Sequence, residues 1–168
     1  MSNEHKMFLN LAGEFAVASE LNRRRILASV TYGASKSADV FALSRGMRRV
    51  LRVEVKTTDK MKWPIGDKAT RLESNSDDVI WVFVLLPAPL NQKPKDDSHQ
   101  GRHAPRFFIL SAKELHAVWW QQAEEYLKRY RLRHGGKEFT GRGVPNVRLE
   151  GVEPFEGQWQ KIVSRLES

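Results

Sequence analysis

One short stretch brings together two carboxylates and an ammonium in positions suited to a shared task. Between Asp39 and Lys56, two runs rich in Val, Leu and Phe flank an Arg-Gly pair, the pattern of a β-hairpin. Antiparallel pairing returns the end of the second strand to the start of the first, so Asp39 is expected to meet Glu54 and Lys56 at one end of a sheet. By the two-residue period of a strand, Leu51, Val53 and Val55 fall on one face and Arg52, Glu54 and Lys56 on the other. Carboxylates of this kind suit magnesium, a hard ion held by one or two carboxylates plus waters and substrate phosphate. Such an ion lowers the pKa of a bound water, and a neighbouring cation offsets charge that builds on phosphoryl oxygens. The expected chemistry is phosphodiester hydrolysis, with Asp39 and Glu54 as ligands and Lys56 as the cation. A Glu-x-Lys pair is also common on the exposed side of an ordinary strand, where it does little beyond a weak ion pair. A third residue is needed.

The elements that position these groups supply one. Phe8, Leu11, Ala12, Phe15, Ala18 and Leu21 recur at three- and four-residue spacing, predicting a helix from about Asn3 to Arg24. Glu14 has Leu11, Val17, Ala18 and Leu21 as helical neighbours, so its carboxylate projects near a face meant for burial. A buried carboxylate is costly unless paired, hydrogen-bonded or metal-bound. Glu20 differs, because Arg23 and Arg24 lie one turn later and satisfy it at the surface. Ile26 to Tyr32 reads as a first strand and 33–37 as a turn, in which Ser35 and Lys36 either touch a phosphate or simply make the turn. Thr57 to Pro64 reads as a loop. Its Thr57, Thr58, Lys60, Lys62 and Trp63 would meet a nucleic-acid backbone and stack on a base, unless Trp63 caps the core instead.

Further on, Asp67 to Ser74 suggests a short helix, and Val79 to Leu86 a strand buried on both faces, with layers packed on each side of the sheet. Pro87 to Pro105 is read as a mobile loop, and His99 and His103 within it lack the helical order that would make their spacing a metal site. Phe107 to Leu110 is a strand. Ser111 and Glu114 form the capping box of a helix whose apolar stripe is Leu115, Val118, Trp119, Ala123, Tyr126, Leu127 and Tyr130. The basic end from Lys128 to Arg133 balances the helix dipole or extends a nucleic-acid surface, and Gly135-Gly136 stops the helix. A strand is expected at Val144 to Leu149. A closing helix is expected from Glu156 to Leu166, with Trp159, Ile162, Val163 and Leu166 inward.

The 168 residues fit one domain, 1–168, with a core over about 3–86 and a C-terminal elaboration over about 106–168. A formal charge of +8 and a pI near 9.9 point to an anionic partner, nucleic acid first, and basic residues crowd the stretch from Arg45 to Arg71. The sequence contains no cysteine, which excludes a disulfide framework or thiolate site and fits a reducing cytosol. No apolar run is long enough to cross a bilayer and no basic helix has a strong apolar face, so a cytoplasmic protein with no membrane partner is expected.

A helix carrying Gly13-Glu14, strands carrying Asp39 and then Glu54-Val55-Lys56, a crossover and a further strand together resemble the PD-(D/E)XK nuclease superfamily. The runs from Gly13 to Leu21, Ala38 to Val40, Val53 to Thr58, Trp63-Pro64 and Trp81 to Val84 are similar to small standalone bacterial members. The resemblance covers roughly Gly13 to Leu86 and departs from the pattern at Ala38, where proline is usual. It implies an α/β fold: a central mixed β-sheet flanked by helices, with an α-β-β-β-α-β restriction-endonuclease-like core and an additional C-terminal strand and helices. It implies magnesium, replaceable by manganese, bound by Glu14, Asp39 and Glu54, with Lys56 activating or positioning the attacking water. It also implies endonuclease action on DNA, often by a homodimer whose two sites meet two strands. Two other readings remain: a non-catalytic nucleic-acid-binding or regulatory protein on the same fold, and a structural partner in a larger assembly.

Overall fold

The computed structural model describes residues 3–31, 38–70, 79–87, 104–141 and 143–167. The runs of Val, Leu, Ile and Phe become β1 (Leu27–Val30), β2 (Val40–Leu43), β3 (Val50–Thr58), β4 (Lys62–Pro64), β5 (Val79–Leu85), β6 (Arg106–Ser111) and β7 (Asn146–Arg148). A five-stranded mixed sheet has the order β1-β2-β3-β5-β6, and β4 pairs with β7 in a separate two-stranded ribbon. β1, β2 and β3 form an antiparallel meander. β3 and β5 are parallel and β6 returns antiparallel to β5. The hairpin expected around Arg45-Gly46 is present. Its turn closes with Met47 N donating to Ser44 O at 2.8 Å and Ser44 N to Arg49 O at 3.0 Å, and Met47 takes the left-handed bend at φ 54°.

Parallel β3 and β5 need a crossover. It begins through β4 and α2 (Gly66–Thr70) and continues through residues 71–78, outside the described residues. Every residue of β5 is buried, as expected for a strand covered on both faces. One layer is α1 (Asn3–Arg23) and α5 (Gln160–Glu167), whose Val17, Leu21, Ile162 and Leu166 pack on Val53, Val55, Ile80 and Val82. The other contains α3 (Ala112–Arg133) and α4 (Leu149–Val152); there Leu115, Val118 and Val152 pack with Trp63, Trp81, Phe83 and Phe108. The Ser111 capping box at the start of α3 is formed as expected, and Gly135 and Gly136 end that helix at φ 61° and 85°.

Four expectations need correction. Of the expected α1 stripe, Ala18 and Leu21 are buried, and Gly13 and Val17 complete the inward face, whereas Phe8 and Phe15 are 59% and 48% exposed. The helix is rotated because Gly13 lets it approach β3 closely. Thr57 to Pro64 is not a loop: β3 runs through Thr58, and β4 pairs with β7 in the register Trp63↔Val147. Of the expected α3 stripe only Leu115 and Val118 are buried; its second half lies past the sheet, leaving Tyr126 47% exposed. The closing helix starts at Gln160, after α4 and a 3-10 turn at Glu153–Phe155. Among the described residues no helix is long and apolar enough to cross a membrane. The loop read at 87–105 falls largely outside the described residues, as do His99 and His103.

Candidate functional site

β2 and β3 separate at Asp39. Their pairing runs from Leu43↔Val50 to Val40↔Val53, whereas β3 continues to Thr58 alongside β5. Asp39 stands at this fork and is fastened from both sides. Its amide donates to Val53 O at 3.2 Å, and its carbonyl accepts from the Thr31 amide at 3.0 Å. Thr31 Oγ1 also donates to Ala38 O at 2.6 Å. The Asp39 Oδ2 accepts the Val55 amide hydrogen at 2.7 Å, satisfying a backbone donor beyond the end of the β2–β3 ladder. The carboxylate is thereby tied to the backbone unit between Glu54 and Lys56.

Glu54 is buried, with Oε2 4.0 Å from Lys56 Nζ. The Lys56 ammonium lies 5.5 Å from the centre of the Trp81 ring, within cation–π range. Trp81 is the register partner of Glu54 on β5. Burial of Glu54 and the ring beside Lys56 both restrict where these two side chains can go, so the pair is placed by the sheet and not by solvent.

Glu14 enters from α1. Gly13 is buried against β3, and a Cβ there would overlap Thr57 Oγ1; only glycine lets the helix lie so close. Glu14 follows it into a half-buried position. Burial pushes its carboxyl up to about 7, the Asp39 carboxylate adds to the rise, and the Lys56 ammonium opposes it. A carboxyl that feels both Asp39 and Lys56 shares their electrostatic environment. α1 packs on the Val53 and Val55 face of β3, and the charges of Asp39 and Lys56 still bear on the Glu14 proton.

No family model, curated protein or solved structure matches the chain. What this cluster can do is set by its own side chains. Its potential donors are all carboxylate oxygens, the kind a hard divalent cation takes, and Glu14 holds its proton more tightly because it is partly buried and, to a smaller degree, because Asp39 is negative. Both features fit a bound cation. Among the described residues, no group of three His, Asp or Glu side chains is gathered as a metal site. Asp39 and Glu54 are the two carboxylates that the β2–β3 fork brings to this end of the sheet, and two carboxylates are the usual protein share of a magnesium site completed by water and phosphate.

The other expected contacts divide. Lys60 and Lys62 are exposed and free to meet an anion. Thr57 and Thr58 turn their hydroxyls inward: Thr57 Oγ1 is buried, and Thr58 Oγ1 accepts from the Lys60 amide at 3.1 Å. Trp63 is wholly buried. Its Nε1 donates to Val84 O at 3.0 Å, and its ring meets Phe83 and Phe108 edge-on, leaving no face for a base. Ser35 and Lys36 lie outside the described residues. Three contributors were not singled out from sequence for these roles: Gly13 as the point of close approach, Thr31 as the clamp on Asp39, and Trp81 as the neighbour of Lys56. Trp81 sits inside an unbroken apolar run, which carries no sign of the site. Gly13 followed by a carboxylate on an apolar helix was the one available signal.

Proposed function

We propose that this chain is a magnesium-dependent endonuclease on a restriction-endonuclease-like, PD-(D/E)XK core, hydrolysing phosphodiester bonds in DNA. The observation that carries the reading is the Asp39 carboxylate tied to the Val55 amide at 2.7 Å, between Glu54 and Lys56, with the Glu14 proton equilibrium coupled to Asp39 and Lys56. Magnesium, for which manganese would substitute, would be held by Asp39 and Glu54 with Glu14 beside them; when bound it supplies a Lewis acid and a water of lowered pKa. Lys56 places positive charge where phosphoryl oxygens gain negative charge. Trp81 and Glu54 restrain the Lys56 ammonium, and Glu14, which gains or loses its proton near neutral pH, adjusts the charge offered to the phosphate. The formal charge of +8 favours capture of a polyanion.

The test is cleavage of supercoiled plasmid, linear duplex, single strand, four-way junction and RNA in magnesium or manganese against EDTA. Wild type is run beside Asp39→Asn and Lys56→Ala. Metal-dependent cutting that both substitutions abolish is expected. Salt-sensitive DNA binding without cutting on any substrate would instead identify a non-catalytic nucleic-acid-binding or regulatory protein.

A further inference from the structure

A groove of about 990 Å³ opens between the second half of α3, Phe139 and residues 143–148. Tyr126, Arg129, Tyr130 and Arg133 line it at three- and four-residue spacing, so they share one face of the helix and span about 10 Å along its axis. Phe139 closes the far wall, edge-on to Tyr126 at 5.6 Å and to Tyr130 at 5.2 Å between ring centres. Tyr130 also stacks on His134 at 4.2 Å. These contacts brace the rings, yet Tyr126 stays 47% exposed. A braced, half-exposed aromatic at a groove wall presents a platform whose conformational entropy is already spent.

The charge around the platform is predominantly basic. Lys62, Arg129, Arg133 and Arg148 contribute four cations to the lining, against Glu125 and Glu150. Arg129 is drawn to Glu125 at 2.8 Å, and Arg131, nearby on the helix, to Glu138 at 3.0 Å. Lys62, Arg133 and Arg148 form no ion pair among the described residues. They come from three separate elements, β4, α3 and β7, so unneutralised positive charge surrounds the aromatic face on several sides. Alternating cation and ring is the composition that binds an unpaired strand: phosphates meet the cations, and bases stack on the rings without need of sequence. A duplex keeps its bases stacked inside and cannot use the rings. An acidic peptide would use the cations but gain little from Tyr126.

We propose that this groove binds single-stranded nucleic acid, stacking a base on Tyr126 and seating phosphates on Lys62, Arg133 and Arg148. The groove includes none of Glu14, Asp39, Glu54 or Lys56, and its binding does not depend on hydrolysis at that cluster. Where the two act together, it selects substrates with an unpaired strand, such as flaps, gaps or loops.

The experiment is fluorescence anisotropy of the full chain in EDTA, which silences metal chemistry. The probes are labelled oligothymidine and oligouridine of about 12 nucleotides, a duplex of equal length, and polyglutamate. The expected result is tighter binding of single strands than of duplex or polyglutamate. Tyr126→Ala should weaken single-strand affinity about tenfold while Tyr126→Phe retains it. Arg133→Ala, at an exposed position, should flatten the slope of log affinity against log salt by about 0.7. Thermal unfolding of each variant controls for folding, and the thymidine and uridine arms tell DNA from RNA. Duplex or polyglutamate bound as tightly as the single strand, or single-strand affinity unchanged in both Tyr126→Ala and Arg133→Ala, would overturn the proposal. Metal-dependent cleavage alongside such a result would leave the hydrolytic reading intact and remove only the groove.

Discussion

The Val55 amide donates its hydrogen to the Asp39 carboxylate across 2.7 Å, at the point where β2 stops pairing and β3 goes on with β5 as its one ladder partner. One side chain thus finishes a backbone ladder and brings an anion to the middle of Glu54-Val55-Lys56. Structure and chemistry can be separated by substitution. Asp39→Asn keeps an acceptor for the amide and should cost little stability, whereas Asp39→Ala leaves the donor unmet and should cost about 1–3 kcal/mol. Both should abolish hydrolysis. Urea denaturation beside a cleavage assay reads the two effects; equal destabilisation by Asn and Ala would show that the hydrogen bond does not hold the fork.

Glu14 gives a pH signature. Its folded-state value of about 7 stands above the ordinary 4.5, so the folded chain holds this proton more tightly than the unfolded one. The contribution to stability is therefore fully present below the ordinary value and is lost as pH rises through 7. Glu14→Gln, which cannot ionise, should match wild type near pH 4.5 and exceed it above pH 7, by on the order of 1 kcal/mol after solvent screening. Asp39→Asn should lower the Glu14 value, because it removes a neighbouring negative charge. Denaturation at several pH values and an NMR titration of the Glu14 carboxyl carbon test the two statements. A pH-independent offset would contradict the first.

Gly13 is expected to be intolerant. Gly13→Ala drives a methyl into Thr57, and overpacking of this kind costs about 1–3 kcal/mol. Combining it with Thr57→Ala removes Oγ1, the nearest atom, and Cγ2 while keeping Cβ, and should recover part of that loss, so the two substitutions are non-additive. Strict additivity in chemical denaturation would mean that α1 and β3 do not meet there.

Trp63 should behave as core. Trp63→Ala is expected to cost about 3–5 kcal/mol. Trp63→Phe, which keeps a ring but leaves Val84 O without its indole donor, should cost less and leave DNA affinity unchanged. Loss of affinity in a folded Trp63→Phe protein would return the residue to the binding surface.

The parts of this architecture that were legible in sequence are those written in local periodicity. The Asp39–Lys56 hairpin follows from two alternating runs and a turn, β5 from an unbroken apolar run, and the start of α3 from Ser111 and Glu114. Glu14 was legible because a carboxylate on an apolar helix demands a reason. What was not legible depends on distant partners. The ribbon of β4 with β7 joins Trp63 to Val147, and nothing near Trp63 announces that strand. The face of α1 was misjudged because glycine adds no hydrophobic signal while permitting the closest approach, so Phe8 and Phe15 outweighed Gly13 in the pattern. The stripe of α3 is periodic along its whole length, but periodicity cannot tell where the sheet beneath it ends.

The most direct test of the central claim is calorimetric titration of manganese into the apo chain near pH 7, with Asp39→Asn and Glu54→Gln prepared identically. The account expects saturable binding of a single site in wild type, loss of that binding in both variants, and proton release as Glu14 ionises beside the bound cation. Absence of saturable binding, or binding undiminished by Asp39→Asn, would contradict it.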